Sequence, residues 1–168
     1  MTAKYPTQIK KDLPNKKIEV TRKFDASTDL VWRAWTESAL LEQWWAPKPW
    51  KAVTKTHDFR EGGHWLYAMV SPDGVKHWSK VNYHKIDFQK SFQTTDCFCD
   101  EQGTKNPDMP SMSWNNTFKA TEIGTEVVVE ISFAAEADIR KIIEMGFEAG
   151  FTAALGNLEQ YLKAQFKR

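Results

Sequence analysis

From Lys16 to Asp25 the apolar residues Ile18, Val20 and Phe24 alternate with Glu19, Thr21 and Lys23, the two-residue period of a strand with one buried face. Arg22 falls among the apolar positions and interrupts that face. Ser27, Thr28 and Asp29 then offer capping oxygens, and Leu30, Val31, Ala34 and Trp35 follow at helical spacing, which predicts a short helix ending near Thr36. Ser38 opens a second short run that Pro47 and Pro49 close, because proline brings no amide donor and restricts the residue before it. Extended segments are predicted next over roughly Ala52 to Phe59, His64 to Val70, Lys76 to Phe88, Ser91 to Cys99, Ser111 to Thr121 and Thr125 to Phe133. Turn residues such as Glu61-Gly62-Gly63 and Ser71-Pro72-Asp73-Gly74 separate them, and such short links favour antiparallel neighbours. In the last strand Val127, Val129, Ile131 and Phe133 share a face that something must cover. From Ala137 to Phe166 the period changes: Ile139, Ile142, Ile143, Phe147, Phe151, Leu155, Leu158 and Leu162 recur at three and four, predicting one long helix laid on the sheet. The expected class is α+β, about seven antiparallel strands with the helices segregated on one face. Residues 1–15 lack a sustained period and read as a solvated arm, leaving 16–168 as the domain.

Composition narrows the possibilities. A chain of 168 residues with 41% hydrophobic and 27% charged residues can bury a real core, which excludes disorder. The formal net charge of +1 is far from the concentrated basicity of a nucleic-acid binder. No apolar run is long enough to span a membrane, and the Lys- and Pro-bearing start does not resemble a signal peptide, so a cytoplasmic setting is expected, as a monomer or weak homodimer. Cys97 and Cys99 are expected to be ordinary thiols, since neighbours one residue apart cannot staple distant segments.

The 8 Trp among the aromatics suit either an unusually aromatic core or a cavity walled by flat apolar surface. Trp65, Tyr67 and Met69 alternate on one strand face, Trp78 follows on the next strand, Trp114 and Phe118 share a third face, and Phe147 and Phe151 stand one turn apart on the helix. These eight are the candidate ligand-binding residues. Trp32, Trp35, Trp44 and Trp45 read as structural, with Trp44 or Trp45 at the rim. Gly146, Gly150 and Gly156 inside the helix ask for a reason, each costing roughly 1 kcal/mol relative to alanine. Close packing against the sheet is the expectation, with cavity shaping and a helix break as alternatives. His57, His64, His77 and His84 lack metal-ligand spacing, and no nucleophile, phosphate-loop or dinucleotide motif is present, so no metal, cofactor or catalytic residue is expected. A cavity enzyme would have to draw its acid or base from Asp58, Asp96, Arg60 or His84, although Asp58 and Arg60 read first as stabilisers of the Gly62-Gly63 bend. Residues 100–110 are long for a hairpin link and read as a solvated loop or a lid over the pocket.

Several of these segments resemble one family. Phe24-Asp25-Ala26, Val31-Trp32-Arg33-Ala34-Trp35-Thr36, Leu41-Glu42-Gln43-Trp44-Trp45-Ala46-Pro47, Asp58-Phe59-Arg60-Glu61-Gly62-Gly63, Pro72-Asp73-Gly74 and Gly150-Phe151 are similar to the family related to the activator of the ninety-kilodalton heat-shock chaperone ATPase. That family lies in the START-like, SRPBCC superfamily that also holds the birch-pollen allergen. The resemblance implies a helix-grip fold, a curved sheet wrapped around a long terminal helix, commonly with an apolar cavity between them. It also implies three classes of function: binding of a small hydrophobic molecule, interaction with a chaperone, or cavity catalysis of polyketide cyclase or hydrolase type. The first is the leading expectation. A co-chaperone of the family typically carries a separate N-terminal domain, where this sequence has only a short Lys-bearing arm before Lys16.

Overall fold

A computed structural model describes residues 5–166. Eight strands form one antiparallel sheet in the order β1-β2-β8-β7-β6-β5-β4-β3. The chain enters through β1 (Gln8–Asp12), turns at Lys16 into β2 (Lys17–Phe24), and passes through helices α1 (Thr28–Thr36) and α2 (Ser38–Trp44). The meander β3 (Lys51–His57), β4 (His64–Val70), β5 (Lys76–Asp87), β6 (Ser91–Cys99), β7 (Met112–Thr121) and β8 (Gly124–Phe133) follows, and α3 (Glu136–Glu144) and α4 (Phe147–Phe166) close the chain.

The capping logic holds at α1, where the Ser27 side chain accepts the Leu30 amide and fixes the start of the helix. The buried face of β8 continues through Thr125, Val127, Val129, Ile131 and Phe133, and β2 pairs with it along its whole length. Leu155, Leu158 and Leu162 of α4 cover this region and join Ile18, Val20, Val129 and Ile131 in the core. Arg22 is 2% exposed and ion-pairs with Glu159 of α4, which also holds Lys163 at 3.3 Å. The polar interruption of the β2 face is therefore a charged clasp between sheet and helix.

Three expectations need correction. Residues 8–12 of the expected arm form β1, paired in register with Lys17–Thr21, while residues 1–4 lie outside the described ones. Only Ile9 among the β1 positions joins the core, so the strand carries no apolar period and is held by backbone hydrogen bonds along the β2 edge. It raises the strand number from seven to eight. The long helix is two helices, broken at Met145 and Gly146, where Gly146 adopts φ +93. That is a conformation glycine enters at no steric cost, so the alternative of a helix break holds at Gly146, while the apolar run continues across it because both helices face the same sheet. Close packing is not the role of these glycines: a Cβ at Gly146 or Gly156 would meet nothing within 4 Å, and one at Gly150 would make ordinary contact with Pro47 at 3.7 Å.

The Gly62-Gly63 bend is a close backbone approach. A Cβ on Gly63 would lie 2.1 Å from the Asp58 carbonyl oxygen, and the Arg60 guanidinium reaches the Asp58 carboxylate across the same bend. Both charged residues thus stabilise a turn and stand apart from the cavity described below.

Candidate functional site

Between the concave face of the sheet and the two terminal helices lies a cavity of about 250 Å³. Antiparallel pairing assembles its floor from alternate residues of four strands. Tyr67 and Met69 come from β4, His77 and Ser79 from β5, Asp96 and Phe98 from β6, and Met112 and Trp114 from β7. The roof is the helix break itself: Ile142 of α3, the Met145-Gly146 junction, and Phe147, Gly150, Phe151 and Ala154 of α4. Trp45 and Pro47, just after α2, close one end. Gly146 at the break and Gly150 in α4 put no side chain into this roof, and a Cβ at Gly146 would meet nothing within 4 Å.

The aromatic wall is fixed by edge contacts and few hydrogen bonds. The Trp45 indole N–H donates to the Tyr67 hydroxyl at 2.9 Å, and the Trp45 ring meets Trp114 and Phe151, each at 6.0 Å between centroids. Phe151 stands edge-on to Trp114 at 5.6 Å and tilted against Phe147 at 5.4 Å. Rings locked to one another in this way present a preformed apolar surface.

Asp96 is the exception in that surface. Its Oδ1 atom is fully buried and has no hydrogen-bond partner. Burial raises its carboxyl to about 7, and the donors that pull it back, the Trp114 indole N–H and the Met112 and Asp96 amides, recover only part of the lost hydration. The Trp114 N–H is near enough to favour the carboxylate yet completes no hydrogen bond with it. Burial likewise lifts the Tyr67 hydroxyl above its ordinary range, so it remains a neutral acceptor and donor.

The eight candidate residues separate into two groups. Tyr67, Met69, Trp114, Phe147 and Phe151 line the cavity together. Trp65 stands behind the wall, stacked on Tyr67 at 3.9 Å with its indole N–H on Thr54 Oγ1. Phe118 does not reach the cavity: it lies under α1, against Trp32 at 5.1 Å and Trp35 at 5.9 Å, because α1 covers that end of the sheet. Trp78 is on the opposite face. It pairs with Ala68 and Cys99, one residue out of phase with the cavity-facing His77 and Ser79, and its ring carries Lys55 Nζ at 5.9 Å. Of the two rim candidates, Trp45 lines the cavity, and Trp44 is buried beneath α1 with its N–H on the Ala34 carbonyl.

The loop 100–110 is no lid. Glu101 bonds Lys55, a Cβ on Gly103 would touch Lys80 and Leu66, and no residue from 100 to 110 lines the cavity. Among the proposed acids and bases only Asp96 faces the cavity; His84 bonds Thr95 Oγ1 at 2.7 Å on an exposed surface. Ser79 and the Ile142-Met145 roof were not singled out from the sequence, and His77 was weighed only as a metal ligand. Strand parity with Tyr67 and Met69 could have found Ser79 and His77, and Gly146 and Gly150, with cavity shaping among their readings, were the sequence signal for the roof. Among the described residues no group of three His, Cys, Asp or Glu side chains could hold a metal, and no helix is long and apolar enough to cross a membrane.

The curved antiparallel sheet gripping a terminal helix defines a helix-grip α+β protein. The sequence family described as Activator of Hsp90 ATPase homolog 1-like protein matches residues 25–163, and the chain belongs to it. A crystal structure of a Mycobacterium smegmatis protein is 28% identical, with a TM-score of 0.86 over 94% of this chain and 97% of that one. Solution structures of proteins from Arthrobacter aurescens and Staphylococcus epidermidis are each 28% identical, with TM-scores of 0.88 and 0.82. They cover 94% of this chain and 91% and 94% of their own chains, respectively. No curated protein matches the sequence.

Proposed function

We propose that this domain binds a small hydrophobic molecule in the cavity between β4–β7 and the α3–α4 break. The observation that carries the reading is a preformed apolar space whose roof is opened by Gly146 and Gly150. Burial of a ligand there would supply roughly 25 cal/mol for each Å² of apolar surface removed from water. Sequestration needs no cofactor and no acid or base. Cavity catalysis is a second reading, favoured only by Asp96, whose carboxyl is placed near neutral inside the same space. Association with a chaperone follows from the family description alone.

Gly150→Leu separates binding from stability. The new side chain starts from a position with room for its Cβ and grows into the cavity, while an interior helical glycine is replaced by a residue favoured by roughly 0.5–1 kcal/mol. The wild type is expected to bind propylbenzene calorimetrically, and the variant to melt at or above the wild-type temperature and to lose that binding. Unchanged binding by the folded variant would place the hydrocarbon elsewhere.

A further inference from the structure

Among the described residues, five buried side-chain atoms have no hydrogen-bond partner: Arg22 Nε, Trp35 Nε1, Asp96 Oδ1, Trp114 Nε1 and Asn116 Oδ1. The first belongs to the clasp with Glu159. The other four belong to residues around a single small space of about 30 Å³ beneath the main cavity. That space has room for a group of about the size of one or two waters, and the residues around it carry two unpaired N–H donors and two unpaired oxygen acceptors. Buried polar groups are nearly always paired in folded proteins, so four orphans around one space mark a place where a polar group is received.

Asp96, Trp114 and Trp45 line both spaces, so the polar site is the floor of the apolar one. Trp114 is 8% exposed, and its N–H lies close enough to Asp96 to favour the carboxylate without bonding it. A group set between them must accept from an indole N–H and donate to a carboxyl oxygen. A carboxylate ligand has no proton to donate to Asp96 Oδ1, an ammonium would leave the indole donors without an acceptor, and a hydrocarbon would leave every orphan unpaired. A neutral hydroxyl meets both requirements at Asp96 and Trp114, two of the four orphans.

Building on the cavity-binding reading, we propose that the ligand is a phenol or alcohol whose hydroxyl sits between Asp96 and Trp114, donating to Asp96 Oδ1 and accepting from Trp114 Nε1. Its apolar body lies among Met69, Met112, Phe147 and Phe151. The apolar cavity provides affinity and the orphan pair provides selection, because a site built to bond a hydroxyl discriminates against the analogue without one.

The test is a calorimetric series on the intact chain with propylbenzene, para-propylphenol and para-propylbenzylamine. Two hydrogen bonds to otherwise unpaired groups are expected to make the phenol bind about tenfold or more tightly than the hydrocarbon. In Trp114→Phe, which keeps the ring and removes the N–H, and in Asp96→Leu, the preference is expected to fall below about threefold while propylbenzene binding persists. Should Asp96→Leu fail to fold, the wild-type series and Trp114→Phe decide. Equal binding of phenol and hydrocarbon by the wild type, or a preference that survives in Trp114→Phe, overturns the hydroxyl site and leaves the cavity reading standing. Tighter binding of the amine than of the phenol overturns it in favour of ion pairing. Binding of none of the three overturns the cavity reading and this inference with it.

Discussion

Arg22→Met in the presence of Glu159 is expected to destabilise the fold by about 3–5 kcal/mol, because removing one partner leaves the other charge buried and uncompensated. Arg22 is 2% exposed and Glu159 8%, and β2 and α4 carry the pair to the same point in the core. Lys163, 3.3 Å from the second carboxylate oxygen, is half-exposed and recovers little of the loss. For a chain of this length such a loss lowers the melting temperature by roughly 10 °C. The double variant Arg22→Met with Glu159→Leu is expected to regain most of it, since an apolar pair of similar volume has no charge to desolvate. Thermal unfolding of the two single variants and the double variant measures this coupling, and additive losses would show that the pair is not a clasp. The clasp matters for the cavity because it anchors α4 past its midpoint, leaving Phe147, Gly150 and Phe151 to be positioned as the roof.

Asp96 makes the opposite contribution, and its sign depends on pH. The folded state holds its carboxyl at about 7 against an ordinary value of 3.8, so at intermediate pH the folded chain keeps a proton that the unfolded chain releases. Below about pH 4 both states are protonated and the residue costs nothing electrostatically; stability is then lost as pH rises toward about 7, above which the penalty is complete. At pH 8 that penalty is on the order of 4 kcal/mol. Asp96→Asn is therefore expected to be more stable than the wild type at pH 8, with the difference shrinking toward pH 4. Comparing melting temperatures of the two proteins across that range cancels the titration of all other groups. A pH-independent difference would mean that Asp96 is hydrated in the folded state. A residue that lowers stability at neutral pH and is nevertheless seated in a ligand-sized cavity is more easily understood as part of a site than as part of a scaffold.

The sheet was legible because its central strands are amphipathic. In β8 and β7 the period-two alternation of Val127, Val129, Ile131 and of Met112, Trp114, Phe118 reports directly which side is buried. β1 was not legible, since an edge strand held by backbone hydrogen bonds needs no apolar face. The break at Gly146 was legible only as an alternative raised by the helix glycines: α3 and α4 both turn their apolar residues to the sheet, so the run of isoleucines, phenylalanines and leucines passes through the junction without losing its spacing and favours one helix. Among the site candidates, parity explains which line the cavity and which do not. Tyr67 and Met69 share the phase of the cavity floor, Trp78 is out of phase with it, and Phe118 is in phase but too far along β7, beneath Trp32 and Trp35. Asn116 lies between Trp114 and Phe118 on that same face, and a polar residue in phase with two aromatics was the sequence sign of the polar floor, where the structure buries it to 2% exposure.

The central claim is that a small apolar molecule enters the space under the α3–α4 break, and methyl-resolved NMR of the protein titrated with propylbenzene tests it most directly. Saturable shifts are expected at Met69, Met112, Ile142, Met145 and Ala154, which border the cavity, with little change at Val20, Val129 and Leu158 in the closed core beside it. Absence of saturable shifts at the cavity methyls, or shifts confined to exposed side chains such as Val53 and Val75, would contradict it.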